Sequence, residues 1–150
     1  MLTRLSAVFA ACAVGHVALD GLIASPWCVP DLTLVGMILV VMRAPSAWWA
    51  ASLAAGFLTA AWAIRGAPSI FALYLAAGWS LAAMTRQWDL EDSRIEGLFV
   101  AVVCAVLTLG LVALDGAWSW SMVGYLLLRA LATVTAWMVV RPLAARWLTS

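Results

Sequence analysis

Between Pro30 and Arg65 the chain reads PDLTLVGMILVVMRAPSAWWAASLAAGFLTAAWAIR. Two apolar runs, each closed by an arginine, are joined through Ala44-Pro45-Ser46. A connection of about four residues folds two helices back on each other as a hairpin. Neither limb carries a charged face, so both must be covered by other protein or by lipid. The remainder is the same material: 67% of the 150 residues are hydrophobic and 10% are charged, with a mean hydropathy of +1.07. Soluble domains carry about 25% charged residues. Lipid is the solvent that stabilises such a chain, because helices satisfy their own backbone groups there. The expectation is an all-α polytopic membrane protein, one membrane domain over residues 1–150.

A span needs about 20 apolar residues to cross about 30 Å of hydrocarbon. Six are expected, at about 5–24, 27–42, 46–64, 68–85, 95–114 and 118–140. The second is short. Residues 1–24 resemble a signal peptide in placing Arg4 before an apolar stretch, and Ala10-Ala11-Cys12 resembles a lipoprotein cleavage site. The apolar stretch continues to Ala24, longer than the roughly 7–15 residues of a signal core, so a retained membrane helix is expected. Pro68 suits the first turn of the fourth helix. Ser93 and Glu96 have capping-box spacing at the start of the fifth.

Arginine placement orients the bundle, since acidic residues count for little in that rule. All eight basic residues are arginines. With both termini cytoplasmic, Arg4, Arg43, Arg86, Arg94, Arg141 and Arg146 lie inside and only Arg65 lies outside, while Arg129 falls within the sixth span. Trp27, Trp48, Trp49, Trp62, Trp88, Trp118, Trp120 and Trp147 fall near span ends, where amphipathic indoles prefer to sit. Small residues, Ala51 with Ala55 and Gly56 with Ala60, are suited to close helix contacts.

Charges within hydrocarbon cost several kcal/mol and mark functional positions. His16 and Asp20 share one face of the first span, four residues apart, and Arg129 lies near mid-depth of the sixth. Contact of Arg129 with Asp20 or His16 would pin the first helix to the last. The simpler arrangement leaves Asp20 in headgroup water and Arg129 snorkelling or bonded to backbone carbonyls. The longest polar stretch is Arg86–Glu96. Its Arg86, Trp88, Asp89, Glu91, Asp92 and Arg94 form a charged loop that can serve for docking.

A net charge of +1 gives no case for nucleic acid. One histidine and three separated cysteines, Cys12, Cys28 and Cys104, make no metal set, disulfide framework or nucleophile–base pair. No enzymatic activity, metal or cofactor is expected, and membrane lipid is the certain neighbour.

Several short motifs together resemble the MreD family of bacterial rod shape-determining membrane proteins. They are Val29-Pro30-Asp31-Leu32 at the start of the second span, Met42-Arg43-Ala44-Pro45 at its end and Ala54-Ala55-Gly56-Phe57 in the third. Ser69-Ile70-Phe71-Ala72-Leu73-Tyr74-Leu75 in the fourth span, Arg86 after it, and Val139-Val140-Arg141-Pro142-Leu143 at the end complete the likeness. Pro30, Asp31, Arg43 and Pro45 are the hairpin residues it singles out. The family often has an aspartate late in the third span, where this chain has Thr59-Ala60-Ala61.

The resemblance implies a non-enzymatic scaffold of the cell-elongation complex in the bacterial inner membrane. Its implied partners are an MreC-like periplasmic coiled-coil protein and, through it, a RodA-type glycosyltransferase, its transpeptidase and the MreB filament. It also implies a fold similar to substrate-binding subunits of energy-coupling-factor transporters. Vitamin or metal capture by such a subunit is the alternative function. Ala7 and Ala11 have the small-residue spacing those subunits use to meet their transporter.

Reporter fusions after Arg43 and after Arg94 should both read out on the cytoplasmic side. Readouts on opposite sides would dismantle the six-span arrangement.

Overall fold

The N-terminal boundary of the second helix is set by Asp31. Its Oδ1 accepts the Leu34 N–H at 3.0 Å, and its carbonyl accepts the first helical bond, from Val35 N–H at 3.0 Å. At the other end Pro45 pushes Ala44 out of helical conformation, to φ −139° and ψ 75°. The helix between them is only Leu32–Arg43. In this computed structural model, which describes residues 2–23, 28–62, 67–87, 93–115 and 119–149, that short element is the centre of the molecule.

Among the described residues six α-helices follow in order, with no strands: α1 (Leu2–Leu22), α2 (Leu32–Arg43), α3 (Trp48–Trp62), α4 (Ala67–Gln87), α5 (Ser93–Asp115) and α6 (Trp120–Thr149). A 3-10 turn at Pro45–Ala47 joins α2 to α3 as the expected hairpin. Every residue of α2 from Thr33 to Val41 is buried, and α2 packs against all five other helices. Its twelve residues span about 18 Å at 1.5 Å per residue.

Four helices are long and apolar enough to cross a membrane alone, within Thr3–Leu22, Pro68–Gln87, Ile95–Ala113 and Trp120–Trp147. The expected boundaries therefore need correction. The span at about 27–42 becomes a helix starting only at Leu32, because Pro30 and the Asp31 cap precede it. The span at 46–64 becomes a 15-residue helix beginning at Trp48. The sixth, expected to end at Val140, runs on through Pro142 to Thr149. Proline there forfeits one backbone bond, but the turns beyond it are held by burial of Ala144 and by Arg4 donating to the Trp147 carbonyl at 3.4 Å.

The helices that touch most extensively, α3 and α4, meet over small residues. Ala51, Ala55 and Ser52 are buried there, and a Cβ at Gly78 would collide with Ser52 Oγ. Gly36 does the same for α1 against α2, with Cys12 Cβ only 3.1 Å from where its own Cβ would be. Such close approach gives helices in lipid their van der Waals attraction. Trp48, Trp49, Trp62, Trp120 and Trp147 lie at or near helix ends as expected, whereas Trp27, Trp88 and Trp118 lie outside the described residues.

Gly78→Ala should lower stability in detergent by about 1–3 kcal/mol, as overpacking does. Adding Ser52→Ala should restore most of it. Thermal unfolding of the single and double variants checks this, and strict additivity would remove the contact as the cause.

Candidate functional site

Polar side chains gather where α1, the start of α2, α3 and α6 meet. The motif Pro30-Asp31 puts two backbone carbonyls, a carboxylate and an N–H without an intrahelical partner at the start of α2, where Asp31 is buried. Each finds a partner. His16 Nδ1–H donates to the Pro30 carbonyl at 3.2 Å. The Asp31 N–H donates to Thr133 Oγ1 at 3.0 Å, and the Thr133 hydroxyl donates in turn to the Arg129 carbonyl at 2.8 Å. Asp31 Oδ2 lies 3.4 Å from Arg129 Nη2. Asp31 thus caps α2 with one oxygen and meets α6 with the other.

These groups border a cavity of about 460 Å³ lined by His16, Asp20, Asp31, Thr33, Thr59 and Arg129, with apolar walls from Val17, Val29 and Leu58 among others. Thr59 donates to the Ala55 carbonyl, and its hydroxyl lies 3.0 Å from that of buried Tyr74. Arg129 keeps its Nε without a hydrogen-bond partner among the described residues. Two carboxylates and one guanidinium give the cavity a surplus of negative charge. It can hold a small polar or cationic group by hydrogen bonding, or serve only to lock helices together. Among the described residues no three His, Cys, Asp or Glu side chains cluster as metal ligands.

The sequence singled out His16, Asp20 and Arg129, and the fold does bring all three to one cavity. The expected Arg129 contact is corrected, however: its ion-pair partner is Asp31, not Asp20 or His16. The pin therefore joins α6 to α2 rather than to α1. Asp31, at the start of α2, is only 7% exposed. Thr133 was not anticipated. Threonine in a helix usually bonds its own backbone, and nothing local shows that another strand of backbone will donate to it.

A second ion pair was also hidden. Glu96 opens α5 at capping-box spacing, yet its buried carboxylate Oε2 lies 2.6 Å from Arg141 Nε on α6. Pro30 and Pro45 stand where expected, flanking α2, and Arg43 closes it exposed. Arg86 is exposed near the end of α4, while Trp88, Asp89, Glu91 and Asp92, and the side chain of Arg94, lie outside the described residues. Cys12 and Cys104 are buried free thiols, and Cys28 is exposed.

Comparison with protein-family models, with curated proteins and with solved structures returns no match to this chain.

Asp31→Ala should cost about 1 kcal/mol for the lost cap and about 1.5–3 for the charged contact. Asp31→Asn, which can still cap, should cost less. Arg129→Leu should destabilise alone but couple with Asp31→Asn in a double-mutant cycle, and not with Asp20→Asn. Coupling to Asp20 instead, by thermal unfolding in detergent, would reverse the assignment.

Proposed function

We propose that this chain is a six-helix, MreD-type scaffold of a bacterial inner membrane, non-enzymatic, with both termini in the cytoplasm. The observation that carries the reading is α2: twelve residues, capped by Asp31, stopped at Ala44-Pro45, and enclosed by the other five helices. The Pro-Asp and Pro-turn motifs behind the family resemblance are thus the residues that define the molecule's centre. A protein organised around a buried helix packed by all the others suits a platform for partners.

In this reading α2 and α3 complete six crossings. Immediately ahead of α2, Val29 and Asp31 are covered by protein, 1% and 7% exposed, which lets non-helical backbone sit at depth. The arginine-rich end faces the cytoplasm. Several contacts support one such end: Arg4 reaches the Trp147 carbonyl, Glu96 meets Arg141, and Arg43 lines the same groove as Arg141. Partners are an MreC-like coiled-coil protein and, less directly, a RodA-type glycosyltransferase with its transpeptidase. Arg86–Arg94 is the cytoplasmic surface offered for docking.

The polar cavity favours a second reading, a substrate-binding subunit similar to those of energy-coupling-factor vitamin transporters. Its His16, Asp20, Asp31 and Arg129 could orient a small polar solute.

Mild-detergent purification from native membranes separates the two. Recovery of an MreC-like coiled coil is the expected outcome. Recovery of an ATPase pair with a bound vitamin would overturn the scaffold reading in favour of the second.

A further inference from the structure

A groove runs between α5 and α6. It encloses about 870 Å³, and its wall is mostly apolar, with Leu98, Leu127, Leu131 and Met138 exposed along it. Trp137, 2% exposed, forms part of its lining. The groove is not apolar throughout. Arg43, from the end of α2, and Arg141, on α6, both line it. Arg141 is engaged by Glu96, whereas Arg43 has no ion pair or hydrogen-bonded side-chain partner among the described residues. Two guanidiniums against one carboxylate leave that end positive.

We propose that this groove binds one anionic phospholipid, its phosphate at Arg43 and Arg141 and an acyl chain along α6 toward Leu127. The dimensions fit. From Arg141 to Leu127 is about 21 Å along the helix, and headgroup level to midplane is about 20–22 Å in a bilayer of about 40–45 Å including its headgroups. Basic positions between membrane helices recognise anionic headgroups by this charge match. A zwitterionic lipid can lie in the same groove but gains no net attraction there. The other occupant of suitable shape is a partner's transmembrane helix. That would cover the leucines but bring no anionic group to the two guanidiniums.

The test is native mass spectrometry of the full chain in detergent, titrated with dimyristoyl phosphatidylglycerol or dimyristoyl phosphatidylcholine. Wild type should retain the anionic lipid preferentially. Arg43→Gln should reduce that preference about fivefold, the worth of one arginine near an anionic surface, with unfolding temperature in lipid-free detergent unchanged. Arg86→Gln, an exposed arginine off the groove, should leave the preference intact. Leu131→Trp, which fills the groove, should reduce retention of both lipids without altering any charge. Equal retention of both lipids by wild type, or equal losses in Arg43→Gln and Arg86→Gln, would overturn the site. A photo-reactive residue at Leu131 supplies the last arm, in native membranes. Crosslinking to phospholipid supports the proposal, and crosslinking to a protein helix overturns it.

Discussion

The structure depends on how the start of one short helix is satisfied within the bundle. Helix α2 begins beneath the surface of the bundle with Asp31 buried, and its first N–H groups have no intrahelical partners. The Asp31 carboxylate takes one of them, Thr133 takes the Asp31 N–H, and His16 takes the carbonyl of Pro30. Each bond comes from a different element, and α1 and α6 are thereby drawn to the same point. An unserved backbone group in a low-dielectric interior costs several kcal/mol. These few bonds therefore matter more to the arrangement than their modest net value in water suggests.

Around that fixed point the packing is made by absence of side chain. Gly78 against Ser52 and Gly36 against Cys12 let the helices approach closely, with side chains of the neighbouring helix filling the space a Cβ would take. Lipid tails are as apolar as leucine, so burying leucine from lipid brings little, and close contact between small residues becomes the source of attraction. The exposed leucines and valines of α5 and α6 are in keeping with this, since their natural surroundings are acyl chains.

The bundle is also chemically polar along its length. One end carries the Arg4 contact to the C-terminal turn of α6 and the Glu96–Arg141 pair, with Arg43 nearby. Deeper in, toward the opposite end, lies the cavity with its two aspartates. A protein so divided meets different chemistry at its two ends, which bears on both the scaffold and the solute-binding readings.

Much of this was legible from residue order alone. Composition required helices in lipid, Pro45 required a hairpin, and the isolated His16, Asp20 and Arg129 marked the polar region. Those inferences rest on period, length and hydration energy, which act within a segment. Which carboxylate Arg129 would meet, that Glu96 would meet Arg141, and that α2 would pack against the other five helices were decided only when the helices packed. The reason is physical: a charge at membrane depth must find a countercharge, but hydropathy states only that one is needed. Its address is set by helix crossings, and those depend on contacts between small residues far apart in the chain.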